Sequence, residues 1–161
     1  MKSVWLYRIA AVLFVLFAAG HTFGFLNFKP PTAEGRAVLE SMNAVHFTVG
    51  GASFSYGGFY KGFGLFVTLY LLFSAFLAWH LGALAGSAPH TIGALGWVFA
   101  ILQLLSFGLS WAYFAAAPAI LSGAVALCLG GAMIALPKPR YGTCGSIETS
   151  EKTTVSEALA S

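Results

Sequence analysis

The chain has 161 residues, of which 58% are hydrophobic and only 8% charged, and its formal net charge is +3. A soluble domain carries about 25% charged residues, so most of this surface is not built for water. Eight scattered Lys and Arg are too sparse for a nucleic-acid footprint, and the lack of any Asp excludes metal or phosphoryl-transfer sites built on paired aspartates.

The first predicted element is an apolar span, Val4 to Leu26. Lys2, Arg8 and the run Ala18-Ala19-Gly20 also resemble a secretory signal peptide, but the apolar run continues through Phe23, Phe25 and Leu26, as a membrane span would. Ala11, Phe14, Ala18, His21 and Phe25 recur at helical spacing and share one face. The small residues on that face suit close packing, which turns His21 toward a bundle. Pro30-Pro31 ends this helix by removing donors. Thr32 is then a suitable N-cap for a shorter helix reaching about Val49, with Val38, Met42, Val45 and Val49 on one side. It is too polar to span and reads as an amphipathic segment at the outer surface.

Gly50-Gly51 and Gly57-Gly58 flank Ala52-Ser-Phe-Ser-Tyr56, a glycine-rich collar read as a flexible loop or as the rim of a site. The second span, Gly62 to Leu84, puts Gly64, Thr68, Leu71, Ala75, Ala78 and Gly82 on one face. The third, Ile92 to Phe114, aligns Gly93, Gly96, Ala100, Gln103, Phe107 and Ser110. Gln103 sits near mid-membrane, so it should face inward, where its amide can be paired. The fourth, Ala116 to Leu136, offers Ser122, Ala126 and Gly130. Each span is about twenty residues, enough at ~1.5 Å per residue to cross a ~30 Å hydrocarbon layer. The expected fold is all-α: a four-transmembrane-helix bundle over residues 1–136, with a short amphipathic outer helix between the first and second spans.

Pro137 and Pro139 stop the last helix, and the Ser-, Thr- and Glu-rich segment 137–161 reads as a disordered cytoplasmic tail. Cys144 in that tail is a candidate for palmitoylation. It and Cys128 imply no disulfide framework. With four crossings, Lys2, Arg8, Lys138, Arg140 and Lys152 share one side, against Lys29, Arg36 and Lys61 on the other. That bias favours both termini in the cytoplasm. Trp5, Tyr7, Trp79 and Tyr141 should mark one membrane surface, and Tyr56, Tyr60, Trp111 and Tyr113 the other.

Three features carry a resemblance: His21-Thr22 with Gly24 closing the first span, the amphipathic segment with Met42 and Phe47, and Phe59-Tyr60-x-Gly62-Phe63-Gly64 opening the second. Together they resemble an uncharacterised family of small bacterial four-helix integral inner-membrane proteins over roughly residues 4–136. The acidic residue that often precedes Phe-Tyr in that pattern is Gly58 here. The resemblance implies fold and membrane location and supplies no reaction.

The candidate site residues are His21, Glu40, His46, Tyr56, Tyr60 and Lys61, all mapping to the outer end. An ionisable group inside a membrane is a functional hint by default, which makes His21 the leading candidate. The expected arrangement is a small polar pocket at the outer mouth, taking a ligand with an apolar body and a polar head. Imidazoles and a carboxylate suit proton exchange or metal binding, but the spacing matches no compact ligand motif, so no metal is expected, and the residues identify no particular cofactor. The expected function is a non-catalytic apolar-ligand-binding module or a small subunit of a membrane assembly. The competing reading is a membrane-embedded enzyme acting on a lipid-like or quinone-like substrate with His21 and Glu40 as acid and base. A small transporter would need a polar pathway, for which Gln103 and Ser106 are the mid-membrane hints. The expected partners are the lipid bilayer and a membrane protein or a second copy, with no nucleic acid.

Overall fold

The computed structural model describes residues 1–114 and 116–137. The expectations for a disordered tail, its three cations, Tyr141 and a lipidated Cys144 lie outside the described residues. Four helices are long and apolar enough to cross a membrane: α1 (Lys2–Leu26), α3 (Tyr56–Ser87), α4 (Gly93–Tyr113) and α5 (Ala116–Ile134). The short helix α2 (Ala33–Ala44) lies between α1 and α3. The expected four-helix bundle with a short helix after its first span is therefore present.

The connection from α2 to α3 departs from expectation. α2 stops at Ala44 rather than Val49, and strands β1 (His46–Val49) and β2 (Ala52–Ser55) follow as an antiparallel hairpin. Two properties of the chain explain this. Phe47, Thr48 and Val49 are aromatic or β-branched and favour extended backbone. Gly50 and Gly51 both adopt positive φ, 59° and 83°, as a two-residue type I′ turn requires. The stretch read as a flexible loop is thus half of a hairpin and half of a helix. The Ser55 hydroxyl accepts the Gly58 N–H at 3.0 Å, and this N-cap opens α3 at Tyr56, ahead of Gly62. At 32 residues, α3 is about 48 Å long. The Thr32 cap of α2 is as expected, its hydroxyl accepting the Gly35 N–H at 3.1 Å. Of the apolar side assigned to α2, only Met42 is covered in part by protein. Val38 and Val45 are exposed, and Leu39 and Met42 are the half-buried residues.

The principal helix interfaces are α1–α3, α1–α5 and α4–α5, while α3 and α4 share no extensive interface among the described residues. The helices therefore run α3, α1, α5, α4 across the bundle. Apolar side chains gain little by leaving lipid for protein, so such helices associate through close packing and hydrogen bonds. The expected seams serve this. Ala75, Ala78 and Gly82 of α3 are buried against α1, whose buried line is Tyr7, Ala10, Ala11, Phe14 and Ala18. Phe14 stacks on Phe99 of α4 with ring centroids 5.7 Å apart. Tyr7 is a correction: it is 0% exposed, and its hydroxyl donates to the Met133 sulfur at 3.0 Å, so it belongs to the core rather than to an interfacial belt. On α5 the buried line is Ser122, Val125, Leu129 and Ala132, rotated from the expected Ser122, Ala126 and Gly130. Gln103 is 7% exposed and donates to the Ser122 carbonyl at 3.4 Å, as a buried amide must.

Candidate functional site

The C-terminal end of α1 and the first turns of α3 bring together two of the sequence-predicted site residues, His21 and Tyr60, through Phe25. His21 Nε2 lies 3.1 Å from the Gly64 carbonyl oxygen, so the proton on that nitrogen is donated to α3 backbone. The His21 ring stacks on Phe25 at 5.7 Å, and Phe25 meets Tyr60 at 5.2 Å. Phe25 can lie there because position 64 is glycine, where a Cβ would strike its ring. Beside this stack Thr22 and Thr68 join hydroxyl to hydroxyl at 2.8 Å. Each hydroxyl also reaches the carbonyl one turn back on its own helix, Ala18 at 2.7 Å and Gly64 at 3.4 Å. The sequence reading placed Thr68 on the seam but missed this pair. The signal was available: two threonines at matching depth on antiparallel helices.

The other predicted site residues do not join His21. His46 stands on β1 and is exposed, its Nδ1 2.8 Å from the Ala44 carbonyl oxygen. Glu40 is exposed on α2 and Lys61 is exposed on α3. Tyr56 packs on Phe47 of β1 at 4.9 Å, which in turn contacts Phe54 and Phe59. The collar is therefore an aromatic platform rather than a ring of convergent polar groups. Among the described residues no three His, Cys, Asp or Glu side chains are grouped to hold a metal ion. His21 Nε2 is bonded to α3 backbone and the two threonine hydroxyls are bonded to each other and to backbone, which suits joining α1 to α3.

A second feature lies along the same two helices toward the N-terminal end of α1. Ala11, Val12, Val15 and Leu16 of α1 and Leu72, Ala75, Phe76 and Trp79 of α3 line an open groove of about 410 Å³. Ligand pockets run from ~300 to 1,000 Å³, so the groove can seat a slender molecule. All eight lining residues are apolar or aromatic. Ala11 and Ala75 are buried at its floor, and the larger side chains stand exposed as walls. At one end the Arg8 guanidinium lies over the Trp79 indole, its Cζ 3.4 Å from the ring centroid. The sequence reading used Arg8 for topology and for the signal-peptide alternative, and Trp79 as a marker of one membrane surface. Their alignment required the helix pairing, since the two residues are far apart in the chain.

The geometry offers a polar helix clamp at the C-terminal end of α1 and an apolar groove with a cation toward its N-terminal end. Comparison with protein families, with curated proteins and with solved structures finds no match to this chain.

Proposed function

We propose that this chain is a multi-pass membrane protein that binds rather than catalyses, and that the α1–α3 groove holds the apolar part of a membrane amphiphile. The observation that carries this reading is the wholly apolar lining of a groove open along two helices fit to cross a bilayer. Such a surface rewards hydrocarbon and offers a reacting group nothing to polarise it. An enzyme using His21 and Glu40 would need the two to converge. The His21 N–H is committed to Gly64 and Glu40 is exposed on α2, so the binding reading is preferred. A role as a small subunit of a larger assembly is compatible with it, the groove then taking lipid at the subunit's edge.

The bilayer we propose is the cell membrane, with both termini cytoplasmic, on the cation bias of the sequence. Reporter fusions at Ser87 and at Thr32 should then report cytoplasmic and external locations respectively. A cytoplasmic Thr32 would reverse the orientation.

The binding reading is tested with a fatty-acyl probe carrying a photoactivatable group, added to the protein in lipid nanodiscs. Cross-links should concentrate on residues 11–16 and 72–79, and Val15→Trp, which fills the groove from an exposed wall, should reduce them severalfold. Cross-links spread evenly over all exposed helix faces would show that the groove is ordinary lipid-facing surface.

A further inference from the structure

Arg8 sits in the second turn of an apolar helix, where a cation is costly unless its charge finds a partner or reaches the interface. Its stem can lie along apolar surface while the head stays near water, and here the guanidinium Cζ stands 3.4 Å from the Trp79 ring centroid, a cation–π contact. The N–H groups lie in the guanidinium plane and point outward around its edge, ready for a planar pair of acceptor oxygens. The carboxylates among the described residues, Glu34 and Glu40, both belong to α2 at the opposite end of α1. The cation is therefore placed for an anion that comes from outside this part of the chain.

Two further observations fix what that anion is attached to. Trp5 lies one helical turn before Arg8 on the same face of α1 and is 66% exposed, while Trp79 lies beneath the guanidinium. Indoles concentrate at the height of lipid headgroups, so Arg8 is held at the depth of the phosphodiester. From that point the groove continues down two turns of α1, past Val12, Val15 and Leu16, with no polar residue along it. A cation at headgroup depth above a hydrocarbon channel matches an anionic phospholipid in charge and in order.

We propose that the groove takes one acyl chain of an anionic phospholipid, with the phosphodiester resting on Arg8 at its mouth. This rests on the reading of the groove as an amphiphile site and adds the class of headgroup. A zwitterionic lipid presents the same chains but brings its own ammonium group to the guanidinium. A neutral isoprenoid or a second copy of the protein would leave the cation unmatched. One cation near an anionic membrane surface corresponds to about a fivefold preference.

The test is native mass spectrometry of the full chain released from nanodiscs of equimolar phosphatidylglycerol and phosphatidylethanolamine, with melting by circular dichroism to verify folding. The wild type should retain phosphatidylglycerol about fivefold over phosphatidylethanolamine. Arg8→Gln should bring the ratio near one while total retained lipid stays similar. Arg8→Lys, which keeps the charge, should keep most of the preference, and Val15→Trp should lower retention of both lipids. Retention that Val15→Trp reduces, but with no headgroup preference in the wild type, would overturn the anionic-lipid proposal and leave the amphiphile site standing. Retention that Val15→Trp does not change would overturn both. A lipid-free dimer would assign the groove to a second copy, and preferential carry-over of a neutral isoprenoid would assign it to that class; either overturns the proposal.

Discussion

Gly64 and Gly96 look alike in the sequence, and each faces a side chain that an added methyl group would strike. Their neighbours differ in how far they can yield. At Gly96 the nearest obstacle is the thioether of Met133, which is flexible and re-packs readily, with the Cγ2 methyl of Ile92, one turn back, as the second. At Gly64 it is the Phe25 ring, held between His21 and Tyr60. Overpacking a site that cannot relax costs about 1–3 kcal/mol. Gly64→Ala should therefore lower the melting temperature in detergent more than Gly96→Ala does. Phe25→Ala combined with Gly64→Ala should recover part of the loss. A Phe76→Leu control should be tolerated, since Phe76 is 66% exposed. Equal damage at all three positions would mean that close contact at Gly64 is not what limits the α1–α3 pair. His21 belongs to the same local argument. As an ionisable residue in an apolar span it was the leading functional candidate, and its bond to the Gly64 carbonyl gives it a structural role that sequence spacing could not reveal.

The elements show where a sequence reading succeeds and where it stops. The faces of α1, α3 and α4 were legible because period and residue size suffice, and the small seam of Gly64, Ala75, Ala78 and Gly82 is the one that α1 covers. The face of α5 was set off its true line, since Val125, Leu129 and Ala132 are buried in place of Ala126 and Gly130. The inward Gln103 was legible from the cost of an unpaired amide. The hairpin was missed because two glycines in a polar stretch satisfy both a loop and a type I′ turn. Only cross-strand pairing, Phe47 opposite Phe54 and Val49 opposite Ala52, separates the two. Those pairs share one face of the ribbon and His46, Thr48, Ser53 and Ser55 the other, and the apolar face meets Tyr56 and Phe59 through Phe47. Gly51→Val places a β-branched residue at φ 83°, a region it strongly resists. Limited proteolysis within 46–55 should speed up severalfold, while the melting temperature of the helices changes little. A fall in that temperature as large as for Gly64→Ala would mean that the hairpin is integral to the bundle. The groove was illegible for a related reason. Arg8 and Trp79 become one feature only when α1 and α3 are laid side by side.

For the molecule as a whole, the order of interfaces matters more than the number of helices. α1 packs on α3, α4 packs on α5, and the two pairs meet along α1 and α5, while among the described residues α3 and α4 share no extensive interface. The link between the pairs is one short 3₁₀ turn, Pro89–Thr91. Each pair consists of consecutive antiparallel spans and can close its own backbone hydrogen bonds within the bilayer before meeting the other. The chain should therefore tolerate being cut at that link. Residues 1–88 and 89–161, expressed together as separate polypeptides, should co-purify and melt as one unit, whereas a cut inside either pair should abolish recovery. Failure of the two pieces to associate would show that covalent continuity, rather than the α1–α5 contact, unites them. If they do associate, the protein is in effect an internal dimer of two unlike helical hairpins. The α1–α5 seam is then the joint at which such a chain could have been assembled from separate parts, or could exchange one half for another.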